Sequence, residues 1–190
     1  METSAALTKK NIETSVKTKW MIDPAHSEIQ FKTKHLLIST VTGKFEKFNA
    51  TVLTDGENFT DARIEFSADV SSINTGVPDR DTHLKSPDFF DAINFPFLTF
   101  RSTGLKMKND EEFVLTGDIT IRGTTRPVTL EGVFGGVITD PWGTLKAGFE
   151  LNGKINRKEF GLHWNAMTEA GSLVVAEEVR MIMNVELAKI

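Results

Sequence analysis

The sequence predicts an all-β fold in which about eight antiparallel strands close into a barrel carrying one short helical insertion. Three observations predict it. Polar and apolar residues alternate with period two along most of the chain from Trp20 onward, the periodicity of a strand with one buried face. Turns containing Gly, Asn or Asp separate these runs at the regular spacing of a sandwich or barrel. The last run is long, strongly patterned and poor in the lysines and prolines that guard exposed edges, which favours closure over two packed sheets.

In chain order, residues 1–18 are rich in Thr, Ser and Lys and are expected to form a flexible lead-in, with the barrel domain spanning 19–190. The first alternating run is Glu28–Lys34, which turns polar toward its end. Phe48–Val52, Ala62–Phe66 and Leu98–Arg101 follow. Phe113, Leu115, Gly117, Ile119 and Ile121 share one face of a fifth strand. A sixth opens near Pro127, whose missing N–H suits a strand start or an edge. In the seventh, Leu145, Ala147, Phe149, Leu151 and Ile155 share a face opposite Lys146, Glu150, Asn152 and Lys154. In the eighth, Val179, Met181, Met183, Val185 and Leu187 oppose Arg180, Asn184 and Glu186. The turns fall at Thr54–Asn58, Lys108–Glu111, Arg122–Thr125 and Asp140–Gly143.

The helical insertion is Asp79–Ser86, with acids in its first turn and Lys85 near its end, as the helix dipole favours. Pro87 stops it and a second, shorter turn begins at Asp88; Asp79 and Asp88 are expected as N-caps. His163–Glu177 lacks a clear period and reads as a long loop near a barrel mouth.

Composition narrows the function. A chain of 190 residues suits one domain, and a net charge of −4 argues against a nucleic-acid partner. Cysteine is absent, which excludes disulfides, thiolate catalysis and cysteine metal sites. There are 14 Phe, 3 Trp and no Tyr, so the aromatic set adds bulk without hydroxyls, as an unusually apolar interior requires. No segment is long and apolar enough to span a membrane. The N-terminus lacks the apolar stretch of a secretory signal, so the chain is expected in the cytoplasm.

Phe31, Phe66, Phe100, Leu115, Ile119, Phe149, Met181 and Met183 lie on faces that should point inward. They either line a cavity or meet and fill the barrel. Phe89, Phe90, Phe95 and Phe97 either plug one end or form a lid. Arg157 can pair with Asp81 or Asp88 and tie the insertion to the barrel; alternatively Arg157 or Lys158 meets a polar head group. His26, His35, His83 and His163 invite a metal reading, with Asp81, His83, Asp23 and His26 as a mixed site. No HExxH and no i, i+4 histidine pair supports one, and neither a metal nor a cofactor is expected. No GxSxG is present, the acids Asp79, Asp81, Asp88 and Asp91 have structural explanations, and no catalytic residue is assigned.

Four stretches carry a family resemblance: Trp20–Phe31 with Lys34-His35 and Val41–Phe45; Arg80–Asp91 with Phe95-Pro96 and Thr99-Phe100; Gly117–Val128; and Ile155–Leu162. Together, from Trp20 to about Leu187, they resemble the YceI-like, polyisoprenoid-binding family. The resemblance implies a lipocalin-like barrel of eight antiparallel strands with a helical insertion. It also implies an elongated apolar cavity that holds an isoprenoid or another long-chain, fatty-acid-like amphiphile, which the protein would bind, carry or sequester. A homodimer is compatible with the family. Many members carry an export signal, which this sequence does not show. The alternative from another class is a filled barrel acting as a stress-associated structural or interaction protein without a lipid ligand.

Overall fold

The computed structural model describes residues 17–166 and 174–190. Among these residues the strands are β1 (Thr18–Ile22), β2 (Glu28–His35), β3 (Ser39–Phe45), β4 (Phe48–Asp55), β5 (Asn58–Asp69), β6 (Ile73–Asn74), β7 (Phe97–Met107), β8 (Glu112–Ile121), β9 (Thr124–Thr139), β10 (Leu145–Asn156) and β11 (Val175–Lys189). One helix, α1 (Pro78–Lys85), and two 3₁₀ turns, Val70–Ser72 and Arg157–Phe160, interrupt them.

The strands make a closed barrel of eight antiparallel staves, because two staves are broken strands. β1 and β2 lie end to end along β11, with Ile22 opposite Leu187 and Glu28 opposite Asn184. Five residues of the first stave thus span two of β11, a kink that would orphan backbone groups. Ser27 repairs it: its hydroxyl accepts from the Glu186 N–H at 2.9 Å and donates to the Glu186 carbonyl at 3.3 Å. β3 and β4 form the second stave, one half pairing with β2 and the other with β1. The ring then runs through β5, β7, β8, β9, β10 and β11, and β11 closes it on β1 and β2. Closure leaves no long edge exposed.

One end of the barrel carries the turns after β4, β7 and β9. The other carries α1, the two 3₁₀ turns and the β2–β3 hairpin turn. Pro127 pairs only with Asp118 of β8, since β9 joins β10 no earlier than Leu130; proline sits where no ladder N–H is required on its open side.

Several local expectations change. Pro78 occupies the first turn of α1 and Val77 is its N-cap, without a side-chain bond. Asp79 therefore lies inside the first turn, where its charge still suits the dipole. Asp88 does not cap the following turn either; its carboxylate meets His83 Nε2 at 2.9 Å. Residues 167–173 of the expected loop lie outside the described residues, as do residues 1–16 of the expected lead-in. Val175–Glu177 belong to β11, not to a loop. The register there shifts between Val175 and Val179, which erases the alternation that would have marked a strand.

Candidate functional site

Alternation aims one face of every stave at the lumen, yet the lumen is not filled evenly. At the end with the β4, β7 and β9 turns, aromatic rings meet. Trp20 is fully buried and packs on Phe59 at 5.2 Å between ring centroids. Phe59 reaches Phe134 at 5.7 Å and Phe149 at 5.0 Å, and Phe134 reaches Phe149 at 5.1 Å. The indole N–H donates to Thr54 Oγ1 at 2.9 Å, and the Thr54 hydroxyl donates to the Gly56 carbonyl at 2.6 Å, so no polar group is stranded in this plug. None of these plug contacts was read from the sequence.

Beyond Phe149 the interior opens into a cavity of about 220 Å³. All eight inward-facing candidates stand on its wall: Phe31, Phe66, Phe100, Leu115, Ile119, Phe149, Met181 and Met183. Phe100, Leu115 and Ile119 are buried, whereas Phe31, Phe66, Phe149, Met181 and Met183 are only half-buried although they point inward. Their remaining surface faces the lumen. Apart from Gln30, Thr33 and Arg157, every residue on the wall is apolar. The interior is thus filled at one end only, and a barrel packed end to end does not describe it.

Glycine explains why large rings leave room. Phe31 stands opposite Gly43 in the β2–β3 register, and a Cβ on Gly43 would lie 2.3 Å from the Phe31 ring. A Cβ on Gly117 would likewise lie 2.3 Å from the Phe100 ring. Both rings lie flat over a neighbouring strand's glycine instead of reaching across the lumen. An inward-facing glycine on an otherwise apolar face, as at Gly117, was the signal in the sequence for this arrangement.

The helix end covers the cavity in part. Leu84, Phe89 and Phe90 reach its wall. Phe89 also joins His83 and Trp164 in a cluster with centroids 4.7–5.2 Å apart. Phe95 is half-buried and packs over Gly123, and Phe97 is 57% exposed. The four-Phe patch therefore divides, two residues over the cavity and two outside it. Asp81 accepts from the Thr75 N–H at 2.9 Å and from its hydroxyl at 2.5 Å, and Arg122 donates to the Phe89 and Gly161 carbonyls, each at 3.0 Å. These bonds moor the insertion to the barrel.

Arg157 is 4% exposed and lies on the cavity wall, but it pairs with neither Asp81 nor Asp88. Its guanidinium donates to four carbonyls, those of Leu162, Trp164, Val175 and Ala176, at 2.5–3.3 Å. Both aspartates are engaged within the insertion, and the rigid fork of donors instead serves main-chain carbonyls on either side of residues 167–173, where Asn165 also donates to the Val175 carbonyl at 2.8 Å. Burial lowers the Arg157 pKa and nearby Glu177 opposes the shift; a guanidinium remains charged regardless. Lys158 is not on the wall. It pairs with Glu177 at 2.6 Å, which holds that carboxylate below its usual range.

The grouping with metal-binding potential among the described residues is Asp23, His26 and Glu186, at the kink between β1 and β2. Lys146 already occupies its centre, 2.7 Å from Asp23 and 3.1 Å from Glu186. Hydrogen bonds from Lys146 and His26 lower the Asp23 pKa from 3.8 to about 2, and the same carboxylates raise that of Lys146. An ammonium ion does there what a cation would do, and the cluster reads as a clamp on the kink. Asp81 and His83, engaged elsewhere, do not join it.

Comparison with known proteins agrees with this geometry. The model of the YceI-like domain matches residues 20–187. Protein YceI of Escherichia coli O157:H7 is 38% identical over 161 residues, covering 85% of this chain and 81% of that protein. The YceI protein of Campylobacter jejuni has a similar structure, with a TM-score of 0.70, 27% identity and coverage of 98% of each chain. Burkholderia cenocepacia BcnA shares the fold at a TM-score of 0.75 and 23% identity, over 87% of this chain and 98% of that one. So does a polyisoprenoid-binding domain of Saccharophagus degradans implicated in plant cell wall breakdown, at a TM-score of 0.68 and 14% identity, over 90% and 98%.

Proposed function

The chain belongs to the YceI-like family, and from that premise we propose that it binds one long apolar chain, isoprenoid or fatty-acid-like, in the barrel lumen and carries or sequesters it. The observation that carries the reading is the cavity of about 220 Å³ walled by half-buried Phe31, Phe66, Phe149, Met181 and Met183. Surface of this kind gains by meeting hydrocarbon, at roughly 0.8 kcal/mol per buried CH₂. The volume exceeds the ~150 Å³ that holds a benzene molecule and falls below the ~300 Å³ where drug-sized sites begin, which suits a slender chain better than a ring system. Met181 and Met183 give a wall that adapts to the guest. The polyisoprenoid-binding neighbour supports the ligand class.

The plug closes one end, so the guest enters from the helix end and its head group stays there. Arg157 is spent on carbonyls and serves the architecture of that end; Lys158 lies outside the wall. The reading assigns no covalent step. Native mass spectrometry tests it: the protein is mixed with a C16 fatty acid or a prenyl alcohol and transferred gently to the gas phase. The expected result is a one-to-one adduct. A spectrum showing only the bare polypeptide with both probes would refute the reading.

A further inference from the structure

The β2–β3 hairpin ends in Leu36-Leu37-Ile38, a tip whose chemistry is unusual for a turn. The Ile38 N–H closes it on the His35 carbonyl at 3.2 Å, and both central residues are left-handed, with φ of 52° at Leu36 and 61° at Leu37. Such a turn favours Asn and Gly, because a Cβ is disfavoured there. Instead the chain presents Leu37 at 65% and Ile38 at 84% exposure. Local stability does not explain bulky apolar side chains in this conformation.

The charge around the tip is one-sided. From Ile29 to Phe45 the hairpin contains Lys32, Lys34 and Lys44 and no Asp or Glu, in a chain whose net charge is −4. Phe31 and Thr33 face the cavity, so Lys32 and Lys34 project outward. None of the three lysines makes an ion pair among the described residues. The acids of β11 beside it are engaged elsewhere, Glu177 with Lys158 and Glu178 with Lys154 and Arg180, and Glu28 stands at the far end of β2 from the tip. The tip also adjoins the cavity end of the barrel, since the Leu36 N–H donates to the Val174 carbonyl at 2.9 Å and Thr33, three residues back, is on the wall.

We propose that this hairpin tip docks the protein on an anionic lipid bilayer, with Leu37 and Ile38 entering the headgroup layer and Lys32 and Lys34 meeting the acidic lipids. An apolar tip ringed by lysines matches that surface in both layers. A second copy of the chain fits worse, because a two-fold axis through the tips would bring lysine against lysine. The proposal goes beyond lumen binding and stands without it: a barrel that took up no lipid could still dock.

Co-sedimentation with large vesicles of phosphatidylcholine and phosphatidylglycerol, 3:1, tests it. The wild-type protein sediments with these vesicles and much less with pure phosphatidylcholine. Lys32→Gln and Lys34→Gln each weaken binding about fivefold. L37G/I38T removes both exposed side chains and relieves the left-handed strain at residue 37. It weakens binding about tenfold while its melting temperature holds or rises, which separates docking from folding. Three results would overturn the proposal: no sedimentation of the wild type, undiminished binding by L37G/I38T, or polyglutamate competing the protein off the vesicles while the tip variant behaves as wild type, which would point to an acidic protein partner.

Discussion

The two ends of this barrel use the same residue types for opposite purposes. At the plugged end Trp20, Phe59, Phe134 and Phe149 touch ring to ring. Half a barrel away Phe31 and Phe100 lie down on glycines of neighbouring strands, and a cavity of about 220 Å³ stays between them and Met181 and Met183. At Phe31 and Phe100 a glycine on a neighbouring strand gives the ring a place to lie along the wall, directly opposite for Gly43 and diagonally for Gly117. The plug concentrates contacts and therefore stability; the hollow region gives up contacts and keeps a site.

Equal truncations at the two ends should therefore have unequal consequences. Trp20→Ala opens a hole among close-packed rings and removes the indole N–H that donates to Thr54 Oγ1, which keeps its bond to the Gly56 carbonyl. It should cost about 3–5 kcal/mol in urea unfolding. Arg157→Leu leaves the Leu162, Trp164 and Ala176 carbonyls at the helix end without this donor, while Val175 keeps Asn165, and about 2–4 kcal/mol is expected by the same measurement.

The Asp23–Lys146 clamp sets a pH dependence. Asp23 binds its proton less tightly in the folded chain, about 2 against 3.8. Its contribution is therefore full above about pH 4 and fades as pH falls toward 2. Lys146, raised by the same partners, contributes below its ordinary pKa and loses that contribution only as pH rises through the raised value. Discounted for partial exposure, Asp23→Asn should cost about 1–2 kcal/mol at pH 7 and almost nothing at pH 2, measured as the shift in unfolding midpoint across that range.

Gly43→Val forces the Phe31 ring off the wall and into the lumen. It should weaken uptake of a C16 fatty acid about tenfold, roughly 1.4 kcal/mol, in a binding titration; Met183→Trp fills the same space from β11 without touching Gly43 and should do likewise. The smallest effect on folding belongs to Met181→Ala. Its side chain is half-buried on the hollow wall, so the loss should be under about 1 kcal/mol, below the 2–5 typical of a packed Met. A loss as large as that of Trp20→Ala would erase the distinction between the two ends.

The staves themselves were legible because water on one side and hydrocarbon on the other impose period two, and the turns at Thr54–Asn58, Lys108–Glu111, Arg122–Thr125 and Asp140–Gly143 fall where the sequence places them. β1 and β3 were not. β1 has only five residues, and in β3 the inward position 43 is a glycine, which breaks the apolar rhythm. The wall residues could be named because a strand face is a local property. Whether facing side chains meet is not: the plug draws Trp20, Phe59 and Phe134 from three distant staves, and the cavity depends on Phe–Gly pairs that only the register creates. The partners of Arg157, though not its structural place, differ from the expectation for a related reason. Charge suggested a carboxylate partner, while its real partners are main-chain carbonyls that carry no mark in the sequence.

The central claim is that a continuous apolar lumen, between the Phe149 floor and the Thr33–Val179 end, receives one chain. Crystals grown with a C16 fatty acid test it most directly. The account predicts a single thread of electron density running past Phe31, Phe66 and Met183, with the Trp20 plug unmoved. A lumen closed by Phe31 and Met183 meeting across it, with the fatty acid on the outer surface or absent, would contradict the account.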